Sequence, residues 1–273
     1  SLSLLLGLSS AQATLVGNGQ PVPPEQKPPQ LPLRDFFRNP EVAGVALSDD
    51  GKWISHLAPH EKRLNIFVRP IDAPIASATR ITSETARDLA GYFWKGNDTL
   101  VYVKDFGGDE NFHLVSVSRD GKTTKDLTPF PKVRAEIIDD LPDDPSAMLV
   151  GLNKRKPEVF DVYRVNVKTG ELTLVAENPG NITSWYADHK GQVRLAGTTD
   201  GVNTSLLFRT TPKAAWKKVL TTSFKDSIAP MFFSFDNTKV YATSNLGRDK
   251  QAVVLLDPAT MKEEKLLFEH PEV

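Results

Sequence analysis

A turn flanked by two apolar runs recurs five times along this chain, and that recurrence restricts the fold more than any other feature. It is seen first as VALSDDGKWISHLA at 45–58. It returns as YFWKGNDTLVYVKD from Tyr92, IIDDLPDDPSAMLVGLN from Ile137, SWYADHKGQVRLAGTTD from Ser184 and FFSFDNTKVYATSN from Phe232. Aligned on the turn, Gly51, Asp98, Ser146, Gly191 and Thr238 are equivalent, and subtraction gives spacings of 47, 48, 45 and 47 residues. A period in the forties with several short strands per unit is the mark of a propeller blade. The first unit reads as four strands, VAGVALS, KWISHLA, LNIFVRPI and ATRITS, with Asp50-Gly51 supplying the positive φ of a tight first hairpin. Third strands recur as FHLVSVS, FDVYRVNV, TSLLFRT and AVVLLDP, and fourth strands as TKDLTPF, LTLVAEN, WKKVLTT and EKLLFEH. Alternation and β-branched or aromatic residues dominate, with no amphipathic helical pattern. The fold class expected is all-β: a propeller of about five four-stranded antiparallel blades. Propellers close with about four to eight blades, and the sequence stops at LFEHPEV, where a new inner strand is due. An incomplete ring is therefore expected.

Ahead of the repeats lie two segments of different character. SLSLLLGLSSAQA, residues 1–13, is short, apolar and ends in Ala-Gln-Ala, as the remnant of a secretory signal would. The alternative is an ordinary apolar tail; a bilayer span needs about 20 residues. Residues 14–32 carry six prolines between Pro21 and Pro32 and no periodicity, the composition of a linker. The propeller is expected over 33–273 and the protein in the periplasm or secreted. With no cysteine, thiol catalysis, disulfides and cysteine-ligated metals are excluded. A net charge of -1 offers no global field toward nucleic acid or an anionic membrane. The basic run NKRKP at 153–157 reads as a solvated loop.

A search for chemistry finds little. There is no Gly-x-Ser-x-Gly elbow and no glycine-rich phosphate loop. His56, His60, His113, His189 and His270 are scattered over the repeats, and no metal site or cofactor is implied. The pairs Asp139-Asp140 and Asp143-Asp144 flank a proline, where aspartate serves turn hydrogen bonds. One loop stands out, KDFGGDENFHL at 104–114. Gly107 and Gly108 permit a tight excursion, and Asp105, Asp109, Glu110 and Asn111 gather acceptors around it. Because strands alternate in direction, this second-to-third-strand loop shares a face with the blade-to-blade crossings, including SETARDLAG at 83–91 with Arg87. Two readings stay open: a turn satisfying its own backbone, or an acidic rim toward a partner domain or a cationic ligand.

LRDFFRNPEVAGVALSDDGKWISHLAP, NIFVRPID and YVKDFGGDENFHLVSV resemble the N-terminal propeller of the prolyl oligopeptidase family, in its bacterial dipeptidyl or acylaminoacyl peptidase branch. The resemblance runs over 33–273. It implies that the propeller caps a C-terminal α/β-hydrolase domain carrying a Ser-Asp-His triad, absent here, so no catalytic residue is assigned to this chain. It also implies a serine peptidase as the parent, short peptides as substrates, and the propeller as the gate that admits them. In relatives with aminopeptidase activity, acidic propeller residues bind the substrate's amino group, a part that Glu110 or Asp109 would take here. The candidate substrate-binding set is Asp105, Asp109, Glu110, Asn111 and Arg87. The partners expected are the chain's own hydrolase domain and short peptides, with no nucleic acid and no membrane span. The alternative is a non-enzymatic periplasmic propeller serving as a protein-binding scaffold.

Overall fold

The computed structural model describes residues 30–37 and 40–271. The expected signal remnant at 1–13, and the expected linker up to residue 29, lie outside the described residues. The chain divides into two compact units at Arg38/Asn39. In the first, Leu33–Phe36 forms a single 3-10 turn. The second contains five sheets, each a meander of four antiparallel strands. The first comprises β1 (Ala43–Leu47), β2 (Trp53–His60), β3 (Arg63–Pro70) and β4 (Thr79–Arg80). The second holds β5 (Gly91–Lys95), β6 (Thr99–Asp105), β7 (Phe112–Ser118) and β8 (Thr124–Asp126). The third is β9 (Ala135–Asp139), β10 (Ala147–Lys156), β11 (Val159–Asn166) and β12 (Leu172–Ala176). The fourth is β13 (Ile182–Ala187), β14 (Val193–Thr199), β15 (Thr204–Phe208) and β16 (Lys217–Thr222). The fifth is β17 (Ile228–Phe233), β18 (Val240–Ser244), β19 (Ala252–Leu256) and β20 (Glu263–Glu269). Among the described residues the only helical turns are 3-10, at Leu33–Phe36 and Ile75–Ser77.

The sheets stack in chain order, β5 lying by β1, β13 by β9 and β17 by β13. Each of the four junctions has its own apolar core. Ile66 and Val68 meet Leu100 and Tyr102 at the first, and Val101 and Leu114 meet Met148 and Val150 at the second. Leu149 and Val162 meet Trp185 and Ala196 at the third, and Leu195 and Phe208 meet Phe233 and Val254 at the last. Neighbouring residues of one strand therefore serve opposite junctions. Leu149 is buried on one side of β10 while Met148 and Val150 are buried on the other. A strand apolar on both faces reads as a continuous run, as AMLVGL does. The end sheets have one packed face only. Val45 and Leu47 of β1 and Met231 and Phe232 of β17 stay exposed, and the sheets do not close into a ring.

Three hairpins share a local device. Ser48 Oγ donates to Asp50 Oδ1 (2.7 Å) and accepts the Trp53 N–H (3.0 Å). The same pattern links Ser118 with Asp120 and Thr123, and Ser234 with Asp236 and Lys239. The first hairpin is wider than the tight turn that Asp50-Gly51 suggests, because Ser48 and Trp53 close it through the Ser48 N–H to Trp53 carbonyl bond. Gly51 alone of that pair has positive φ (67°). Asn side chains then tie one hairpin to the next: the Asp50 N–H donates to Asn97 Oδ1 (2.9 Å) and the His189 N–H to Asn237 Oδ1 (2.8 Å). The basic run at 153–156 continues β10 rather than looping out; Arg155 is held by a bidentate pair to Asp161.

The Ser118 hydroxyl holds the Asp120 carboxyl at about 2, and Asp50 and Asp236 are lowered by their own serines. A folded pKa below the unfolded one contributes stability that is complete above the unfolded value and lost as pH falls through the folded one. Stability measured by urea melts should therefore fall between about pH 4 and about pH 2, and Asp120→Asn should flatten part of that fall. An unchanged slope in the variant would show that this hairpin carboxylate does not contribute.

Candidate functional site

The crossing from β4 to β5 is pinned by a buried asparagine. Asn65, a polar residue inside the apolar strand β3, is fully buried and accepts the Thr82 hydroxyl (2.9 Å) and the Glu84 N–H (2.7 Å) on its Oδ1. Its amide donates to the carbonyls of Arg63 and Glu84. Glu84, itself buried, pairs with Lys104 at 2.7 Å, and the Lys104 ammonium lies 4.4 Å from the Phe106 ring centroid. The crossing and the hairpin between β6 and β7 thus meet on one side of the second sheet, as strand alternation requires.

All five expected residues fall in this region, with different duties. Asp105 is buried; its Oδ1 accepts the N–H groups of Gly107 (3.1 Å) and Gly108 (2.7 Å), and its Oδ2 lies 3.5 Å from Arg87 Nη1. It is the anchor of the turn, and Gly108 takes φ +76° over it. Asp109 is tied to Asn111, whose backbone N–H (3.1 Å) and side-chain amide (2.8 Å) it accepts; these bonds hold its carboxyl below the usual range. Glu110 is exposed, has left-handed backbone (φ 61°), and among the described residues its carboxylate makes no hydrogen bond or ion pair. A cavity of about 500 Å³ is lined by Glu110, Arg87, Asp105, Arg63, Asp88 and Phe112 together with Ala86. Asp109 and Asn111 are not among its walls.

The region therefore differs from a purely acidic rim. Two guanidinium groups share it with the carboxylates, and Arg63 leans on Asp88 (3.9 Å) and the Thr85 carbonyl (3.4 Å). The half-exposed Arg87 and the free Glu110 give the cavity one accessible positive and one accessible negative group, suited to a small zwitterion or a peptide end rather than to a bare cation. Arg63 and Asp88 were not singled out from the sequence. Arg63's only signal was its place two residues before Asn65, a polar interruption of an apolar strand, and Asp88's only signal was its place next to Arg87. Among the described residues no helix is long and apolar enough to cross a membrane.

No family model matches the chain. It is 35% identical over 237 residues to dipeptidyl aminopeptidase BIII of Pseudoxanthomonas mexicana, covering 85% of this chain and 34% of that protein. It is 25% identical over 259 residues to dipeptidyl peptidase family member 6 of Caenorhabditis elegans, covering 87% of this chain and 34% of that protein. The chain thus spans about a third of the length of the curated relatives it matches. Among solved structures, a prolyl endopeptidase superposes with a TM-score of 0.60 at 12% identity, covering 83% of this chain and 35% of the other. Stacked four-stranded sheets and these relatives define a peptidase-related β-propeller, better supported than a generic scaffold. Its homologues include a dipeptidyl aminopeptidase, and its structural neighbours are propeller domains of prolyl oligopeptidase family peptidases.

The roles assigned to Asp105 and Glu110 separate in a stability measurement. Asp105→Ala leaves two amide donors and a guanidinium without their acceptor and should cost about 1–3 kcal/mol in urea denaturation. Glu110→Gly relieves a left-handed residue and should be neutral or stabilising by up to about 1 kcal/mol. Equal losses for both would mean that Glu110 also holds the turn.

Proposed function

We propose that this chain is the propeller part of an exported serine peptidase, and that it admits short peptides to a hydrolase domain and reads their amino terminus. The observation that carries the reading is Glu110, whose carboxylate makes no hydrogen bond or ion pair among the described residues, at the edge of a cavity whose other carboxylates, Asp105 and Asp88, are paired. The homologous dipeptidyl aminopeptidase supports a peptide substrate with a free amino group. Export rests on the apolar segment and proline-rich linker that precede the repeats. In this arrangement the ammonium of the peptide meets Glu110 and its first carbonyl or carboxylate lies within reach of Arg87. The hydrogen bonds of Asp105 and Asp109 fix the loop backbone on which Glu110 stands, which lowers the ordering cost of binding. Chemistry at the scissile bond would be the hydrolase domain's: attack by serine, then by water.

In the complete enzyme, Glu110→Gln should raise KM for substrates with a free amino terminus by about ten- to a hundredfold, the worth of one charge-assisted hydrogen bond. Substrates with a blocked amino group should be turned over as before. Asp109→Asn, whose carboxylate is already committed to Asn111, should change neither. Equal losses on both substrates with Glu110→Gln would remove amino-terminal recognition from this loop.

A further inference from the structure

The inner strands of the second to fifth sheets enclose a second cavity, of about 500 Å³, at the hairpin end of the molecule opposite the Glu110 loop. Phe93, Ile137 and Phe232 supply apolar walls, and Asp139, Asp140 and His189 supply the polar ones. The hydrogen bonds of these polar groups decide what they have left to offer. Asp139 Oδ1 accepts the Leu141 N–H (2.7 Å), and its other oxygen has no donor among the described residues. The Asp140 carboxylate has none either; the buried Lys95 ammonium beneath it donates to the backbone carbonyls of Asp140 and Leu141 instead. His189 Nε2 lies 2.9 Å from the Phe233 carbonyl, which can only accept, so Nε2 donates there and is committed. Asp188, also in the wall, is already satisfied by Lys190, Gln192 and Arg194.

The polar side-chain atoms these bonds leave uncommitted in the cavity include carboxylate oxygens of Asp139 and Asp140, which share its walls with Phe93 and Phe232. Burial pushes the Asp139 carboxyl above its ordinary value and the neighbouring Asp140 adds to the rise, while the Leu141 N–H, His189 and Lys95 pull the other way. Among the described residues no three acidic or histidine groups are gathered closely enough to hold a metal ion. The aromatic and aliphatic walls beside these carboxylates suit a donor with an apolar body of its own. We propose that the cavity binds a protonated primary amine carried on an apolar or aromatic body, with the ammonium against Asp139 and Asp140 and the body between Phe93 and Phe232. A peptide amino terminus on an aromatic residue and a lysine side chain are the two sources of that chemistry. This site is separate from the Glu110 cavity and stands whether or not the peptidase reading holds.

The test is amide-shift mapping by NMR on the isotope-labelled chain, titrated with phenylalaninamide, Nα-acetyl-lysinamide and, as the neutral control, N-acetyl-phenylalaninamide. Either amine should give saturable shifts confined to Ile138, Asp139, His189 and their neighbours, and the tighter of the two identifies the source. The neutral control should give none. Asp139→Asn keeps the acceptor for Leu141 and should weaken amine binding about tenfold or more. Phe232 is half exposed, so Phe232→Ala should fold, and it should weaken phenylalaninamide more than the lysine probe. Equal shifts from the acetylated control, unaltered binding by folded Asp139→Asn, or no saturable shift with either amine would each overturn the proposal.

Discussion

Everything in the second unit depends on one contact: the apolar face of a four-stranded sheet laid on the face of the next. An isolated four-stranded meander has two faces and too little apolar area to hold itself. Stacking supplies a core at each junction, as between Leu149 and Trp185 or between Phe208 and Phe233. Hairpin ties such as Asn97 to Asp50 set the register of one sheet on the next but lie in exposed positions. By the usual magnitude of exposed hydrogen bonds they fine-tune a structure that burial has already built.

The fold was legible because stacking imposes a period on the sequence. The third strand of the second repeat, FHLVSVS, coincides with β7, and LTLVAEN and EKLLFEH fall on β12 and β20. What was misjudged follows from geometry that a one-dimensional pattern does not carry. The NKRK run is polar yet extends β10, because a long hairpin projects beyond the junctions where apolar residues are needed. The Asp50-Gly51 pair suggested a two-residue turn, but the Ser48 side chain closes a wider one.

The Glu110 loop was legible in composition and not in duty. A sequence cannot distinguish Asp105, consumed by two glycine amides and Arg87, from Glu110, whose carboxylate makes no hydrogen bond or ion pair among the described residues. Nor does it show that Arg63, on β3, comes to the same cavity as Arg87 from the following crossing. Asp139 and Asp140 show the same limit: they read as turn residues, and one does cap Leu141, yet the turn also sits where four inner strands converge. Local hydrogen bonding is written in neighbouring residues. Convergence across repeats some forty-five residues apart is written only in the packing.

Native-state hydrogen exchange tests most directly whether sheet-on-sheet burial is what holds the chain. Amides of β10 and β14, in sheets packed on both faces, should exchange only through the largest opening, with a shared free energy. Amides of β4 and β20, outer strands of sheets packed on one face, should exchange through smaller local openings at measurably lower free energy. Uniform protection from the first sheet to the fifth, or slowest exchange in β4 or β20, would contradict the account.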